Sequence, residues 1–199
     1  MGRKRKKQRK RKITLYAVLE GQRERFFFKI LEELYLDKNS ISISVNLDKG
    51  RCSGGGDADA LINTAICNND RDRCFVWLDE DKEIKNKKSL AQAWNISEER
   101  IESFNNTPLA KLQADFNADN KKKPTVIISQ PRSVESFILK VLGKALPSDL
   151  KTLKNAVGGI IKGKDELSFY RDNLTKEILD EKRKTIPELN LLISMLECD

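Results

Sequence analysis

The sequence predicts an α/β fold: a mainly parallel sheet flanked by helices, followed by a C-terminal helical extension. Three observations predict it. Over the first two-thirds of the 199 residues, short β-branched or aromatic runs alternate with stretches of helical period. Two of those runs, CFVWL at 74–78 and TVIIS at 125–129, are apolar throughout, which suits strands covered on both faces. The last third carries helical period alone. Strands separated by helices need crossover connections, and crossovers give parallel pairing.

The elements follow in order. ITLYAVLE, 13–20, is rich enough in β-branched and aromatic residues for a strand. ERFFFKILEELYL, 24–36, places Phe27, Ile30, Leu31, Leu34 and Tyr35 on one helical stripe. ISISVNLD, 41–48, alternates Ile41, Ile43, Val45 and Leu47, the period of a half-buried strand. SGGG, 53–56, predicts a loop and a flap near the active face; it lacks GxxxxGK[ST] and is no P-loop. Asp57 is placed to cap a helix running to about Cys67. After the strand at 74–78 comes a polar, lysine-rich insertion near 85–122, with short helical pieces at 89–94 and 97–104. Pro124 precedes the fourth strand. VESFILKVLG, 134–143, reads as a helix with Gly143 near its C-cap. Helices are expected at about 147–156, 165–182 and 187–197, with Pro187 in a first turn. The domain reading is a basic tail over 1–12, an α/β domain over 13–143 and a helical extension over 144–199.

Charge is unevenly distributed. The net charge is +8, but Arg3, Lys4, Arg5, Lys6, Lys7, Arg9, Lys10, Arg11 and Lys12 fall in one ten-residue run without an acid. Taking those nine from the 38 basic residues leaves 29 against 30 acidic ones, so the body is close to neutral. The run predicts a disordered electrostatic arm for DNA or RNA, because phosphate binding depends chiefly on the number of Lys and Arg side chains. The apolar run behind it spans only seven residues and meets Glu20, too short for a signal peptide or a membrane span. A soluble, cytoplasmic protein is expected.

Four cysteines without a CxxC pair argue against zinc and fit a reducing compartment. Histidine is absent. That excludes Ser-His-Asp and Cys-His chemistry, HExxH zinc sites and histidine bases. Any catalysis must use carboxylates, lysines, hydroxyls or a bound metal.

The apolar strand FVWL ends in Asp79, Glu80 and Asp81. In open parallel sheets ligands bind beyond the carboxyl ends of the strands. Glu20 ends the first strand and Asp79 the third, and Asp79 and Asp81, two apart, share a side. If these strands are neighbours, Glu20, Asp79 and Asp81 converge. Mutual repulsion would then raise at least one pKa unless a hard cation such as Mg²⁺ or Mn²⁺ sits among them. Acids at strand ends also cap helices or face water.

LEGQRERFFFKIL and FVWLDED resemble the Glu-Gly and Asp-x-Asp motifs of Toprim domains, a Rossmannoid fold. The basic start, the GGGDADALINTA segment and SQPRSVESFIL at 129–139 make the layout similar to RloB-like Toprim proteins over about residues 1–143. The last segment departs from the family's Ser-Asn-Pro-x-x-Glu: Gln130 stands for Asn, and Glu135 comes one residue later. The resemblance implies a Mg²⁺- or Mn²⁺-dependent nuclease that hydrolyses DNA or RNA phosphodiesters, in phage defence with an ATPase partner. It implies Glu20 as acid, base or metal-shaping carboxylate and Asp79 and Asp81 as metal ligands. Glu24, one helical turn beyond Glu20, is a supporting candidate, equally readable as a solvated first-turn residue.

Lys162 and Lys164 in GGIIKGKD are candidates for leaving-group stabilisation, against a plain interhelical loop; Arg132 is a further candidate phosphate contact. Two rival readings stay open. One is a non-catalytic Toprim-like regulatory or nucleic-acid-binding subunit. The other is a HAD-like phosphatase, disfavoured because its Asp-x-Asp belongs on the first strand. The helical third has three open roles: docking a partner, forming a homodimer or covering the sheet.

Overall fold

The computed structural model describes residues 12–47, 58–68, 70–80, 88 and 124–197. The tail over 1–11, the Gly-rich segment with Asp57, the insertion near 85–122 apart from Lys88, and Asp81 all lie outside the described residues.

Among the described residues four strands form one sheet: β1 (Ile13–Leu19), β2 (Ile41–Leu47), β3 (Arg73–Asp79) and β4 (Thr125–Ser129). Their order is β2-β1-β3-β4, and every pair is parallel. β1 and β3 are therefore neighbours, with Leu19 opposite Trp77. Helix α1 (Gln22–Tyr35) follows β1, α2 (Ala58–Cys67) follows β2, and α3 (Val134–Val141) follows β4. The extension contributes α4 (Leu150–Ile161), α5 (Glu166–Asn173), α6 (Lys176–Lys182) and α7 (Pro187–Ser194). The α/β class, the parallel sheet and its flanking helices are as the sequence predicts.

The continuous helix expected over 165–182 is instead two. The last turn of α5 ends at Leu174, and Thr175 caps α6, its side chain accepting from the Ile178 amide. A threonine hydroxyl that satisfies an open first-turn amide favours a new helix start over continuation. Gly143 has φ +65°, the left-handed conformation that closes α3, and the Lys144 amide bonds back to the Leu139 carbonyl.

Alternation along the strands builds two cores. Leu15, Ala17, Leu19, Phe75, Trp77 and Ile127 face α1, α3 and the extension. Val18, Val76, Leu78, Val126 and Ile128 face α2. The first core is the larger and is aromatic at its centre. Phe27 stands edge-on to Trp77, Phe137 and Tyr170, at 6.0, 5.1 and 5.9 Å between ring centres. Each such ring fully buried is worth about 1.5–3 kcal/mol of transfer free energy. The Trp77 indole N–H, which would be costly to bury alone, donates to Ser129 Oγ at 2.8 Å. Leu153, Val157, Phe169, Tyr170, Leu189 and Leu192 of the extension belong to this same core, so the extension covers the sheet. Among the described residues no helix is long and apolar enough to cross a membrane.

Candidate metal centre

The chain turns at the carboxyl end of β1 with two residues between strand and helix: Glu20 and Gly21. Gly21 is the N-cap of α1 in extended geometry, φ −144° and ψ −178°, which any residue can adopt. Space, not backbone conformation, favours a glycine here. A Cβ at position 21 would stand 3.0 Å from Glu24 Oε2. The missing side chain makes room for Glu24 to fold back over the first turn of its own helix.

Glu20, Glu24 and Asp79 meet there. Each offers a carboxylate oxygen, and the three oxygens lie within 4.8 Å of one another. Glu24 is only 4% exposed and Asp79 is also buried. The Asp79 amide donates to Glu20 Oε2 at 3.3 Å, which ties the ends of the two neighbouring strands together. Asp79 Oδ1 accepts from the Val134 amide at 2.6 Å, in the open first turn of α3. Burial pushes the Glu24 carboxyl up to about 7, with the charges of Glu20 and Glu135 adding to the rise. Its own backbone N–H and Arg23 pull the other way, insufficiently.

Glu135 stands beside this group on α3, 5% exposed. Its Oε1 accepts from Arg23 Nη1 at 2.5 Å. Its Oε2 is buried with no hydrogen-bond partner among the described residues. A buried carboxylate oxygen without a donor costs on the order of 1–3 kcal/mol, more when charged. The donor set is thus all oxygen and crowded, with Glu24, Asp79 and Glu135 buried and Glu20 half-buried. Hard divalent cations prefer such a set, whereas zinc and softer metals favour His or Cys. Glu20, Glu24, Asp79 and Glu135 fit an oxygen-seeking cation.

The structure brings together Glu20, Asp79 and Glu24 and sets Glu135 next to them; Asp81 lies outside the described residues. Glu80 points elsewhere, its Oε2 accepting from the Arg132 amide at 2.7 Å. Arg132 has φ +73°, and its Nη1 donates to the Ser148 carbonyl, so the side chain braces the loop before α4. Lys162 and Lys164 do not join the acids. Lys162 is the exposed C-cap of α4, and the Lys164 amine lies 5.7 Å above the Phe169 ring. Of the basic run only Lys12 is described, its amine donating to the Lys38 carbonyl at 2.6 Å.

The solvated reading of Glu24 is overturned by its burial. The signal was in the helical stripe: 24 stands three and four residues before Phe27 and Phe28, so the apolar face of α1 runs back through a glutamate. Arg23 and Glu166, the charged neighbours of Glu135, carried no motif that sequence reading could use. No family model matches this chain, and no curated protein or solved structure matches it either.

Proposed function

We propose that the chain is a metal-dependent nuclease of the Toprim type, hydrolysing phosphodiesters of DNA or RNA. One observation carries the reading: Glu20, Glu24 and Asp79 present oxygens within 4.8 Å of one another at the carboxyl ends of neighbouring parallel strands. The unpartnered Oε2 of the adjacent Glu135 supports it independently.

Glu20, Glu24 and Asp79 would hold Mg²⁺ or Mn²⁺, with Asp81 and Glu135 as further oxygen donors. When bound, such a cation offsets charge on a phosphate ester and acidifies a coordinated water. The protein's own residues do the rest. Asp79 is fixed by the Val134 amide through one oxygen. Glu20 follows the strand with its carboxylate anchored on the Asp79 amide, and would take or return the proton of a coordinated water. The basic run from Arg3 to Lys12 would gather nucleic acid by charge alone and add no sequence preference. The likeness to RloB-like proteins extends the proposal to phage defence beside an ATPase partner.

The non-catalytic reading has one observation in its favour: Asp79 also does structural work, as acceptor for the α3 amide. Calorimetric titration separates the two. Mn²⁺ should bind wild-type protein saturably, and Asp79→Asn should lose at least tenfold in affinity. DNA and RNA cleavage by the wild type, absent in Asp79→Asn, should follow. Equal Mn²⁺ titrations for both proteins would leave the regulatory subunit as the better account.

A further inference from the structure

The helical extension reaches the acidic group through one chain of contacts. Glu166 Oε1, on α5, accepts from Arg23 Nε at 2.9 Å and from the Tyr170 hydroxyl at 2.8 Å. Tyr170 is fully buried against Phe27, so this acceptor is held by the core. Arg23 is then held at two points, Nε on Glu166 and Nη1 on Glu135 Oε1. It contacts Glu135 through one oxygen, and Oε2 is left uncommitted.

A guanidinium facing one carboxylate tends to pair with both oxygens, through two parallel N–H donors. Glu166 opposes that tendency by anchoring Nε on the far side. We infer that Glu166 is a positioning residue for the metal centre: by restraining Arg23 it keeps Glu135 Oε2 available as a cation ligand. This rests on the reading of the acidic group as a metal site. It gives the extension a role beyond covering the sheet, since the site would be complete only with α5 docked on α1. Without Glu166, Arg23 can close over both Glu135 oxygens and withdraw a ligand.

The experiment is calorimetric titration of Mn²⁺ into the full chain as wild type, Glu166→Gln, Glu135→Gln, the double variant and Arg171→Gln. Arg171 pairs with Glu33 across the same two helices, with donors at 2.7 and 3.0 Å, away from the contacts of Arg23 with Glu135 and Glu166. Glu166→Gln should weaken Mn²⁺ binding roughly tenfold, the usual scale for residues that orient ligands. Arg171→Gln should titrate as wild type. In the Glu135→Gln background the Glu166 change should add nothing, because both act through one oxygen. Arg23→Lys keeps the charge but not the planar fork that could close over both Glu135 oxygens, so adding it to Glu166→Gln should restore binding. Glu166→Ala serves in place of Glu166→Gln if that variant does not fold. Wild-type affinity in Glu166→Gln, or losses that add in the double variant, would overturn the inference while leaving the metal site intact. Unchanged binding in Asp79→Asn would remove the metal site and the inference together.

Discussion

The two ends of the sheet treat charge in opposite ways. At the amino end Asp72 and Arg73 are both held by several partners. Asp72 accepts from the Thr14 amide and hydroxyl at 2.7 and 2.9 Å, fixing β1 to the turn before β3. Arg73 Nη1 donates to the carbonyls of Ser194, Met195 and Glu197 at 3.2, 3.0 and 2.7 Å, closing the end of α7. At the carboxyl end three acids share one small space and a fourth has an idle oxygen. The amino end is arranged for cohesion. The carboxyl end crowds like charges: burial and the charges of Glu20 and Glu135 raise the Glu24 carboxyl. Stability and the proposed function thus sit at opposite poles of the same sheet.

Three experiments sharpen or break that contrast. The largest effect is expected at the amino end. Arg73→Ala strips three carbonyls of a charged donor, and hydrogen bonds to charged groups are each worth about 1.5–3 kcal/mol. The variant should melt well below wild type, and its Mn²⁺ affinity should hold at temperatures where it is folded. Loss of metal binding in folded Arg73→Ala would show that the poles are not separate.

The second effect has the opposite sign. Glu24→Gln should raise the melting temperature of metal-free protein at pH 8. The folded carboxyl titrates near 7 and the unfolded one at its ordinary value near 4.5. Between those values the folded state binds more protons, so metal-free wild type should lose stability as pH rises from about 4.5 to 7. Glu24→Gln removes that loss. A relief of about 1 kcal/mol corresponds to roughly 2–4 °C in a chain of this size. Added Mn²⁺ should close the gap by stabilising wild type alone. A drop in melting temperature at pH 8 would mean the acids are not under strain.

The smallest effect is a difference in thiol chemistry. Burial pushes Cys74 up to about 12, and its Sγ contacts the Ala65 carbonyl at 3.4 Å. Cys67 is exposed. A maleimide at pH 7.5 should therefore label Cys67 in the folded protein and reach Cys74 only on unfolding. Equal labelling of both would place Cys74 in a looser amino end than the contacts describe.

Most of the fold was legible because it rests on local pattern. The period-2 run of β2, the unbroken apolar runs of β3 and β4 and the stripe of α1 each point to one element. Burial on both faces of β3 was readable from CFVWL alone. The split between α5 and α6 was not, because Thr175 sits inside a sequence whose polar residues would also suit a continuous helix. The site was half legible. Glu20 and Asp79 end strands, and strand ends are found by pattern. Glu24 looked ordinary until its place on the apolar stripe was taken as a buried charge. Arg23 and Glu166 are 143 residues apart, and nothing local marks a pair whose meeting depends on how α5 packs on α1.

Gly21 has a consequence of another kind. Most residues of a site matter for an atom they supply, and this one matters for an atom it lacks. It gives helix α1 no side-chain cap, so the start of the helix forgoes a common anchor. What it provides is room beside the Glu24 carboxylate: a Cβ at 21 would come to 3.0 Å from Oε2. The proposed centre is therefore open to perturbation by addition as well as by subtraction. An alanine at 21 would press Glu24 aside by a few tenths of an ångström while every carboxylate in the sequence remained in place.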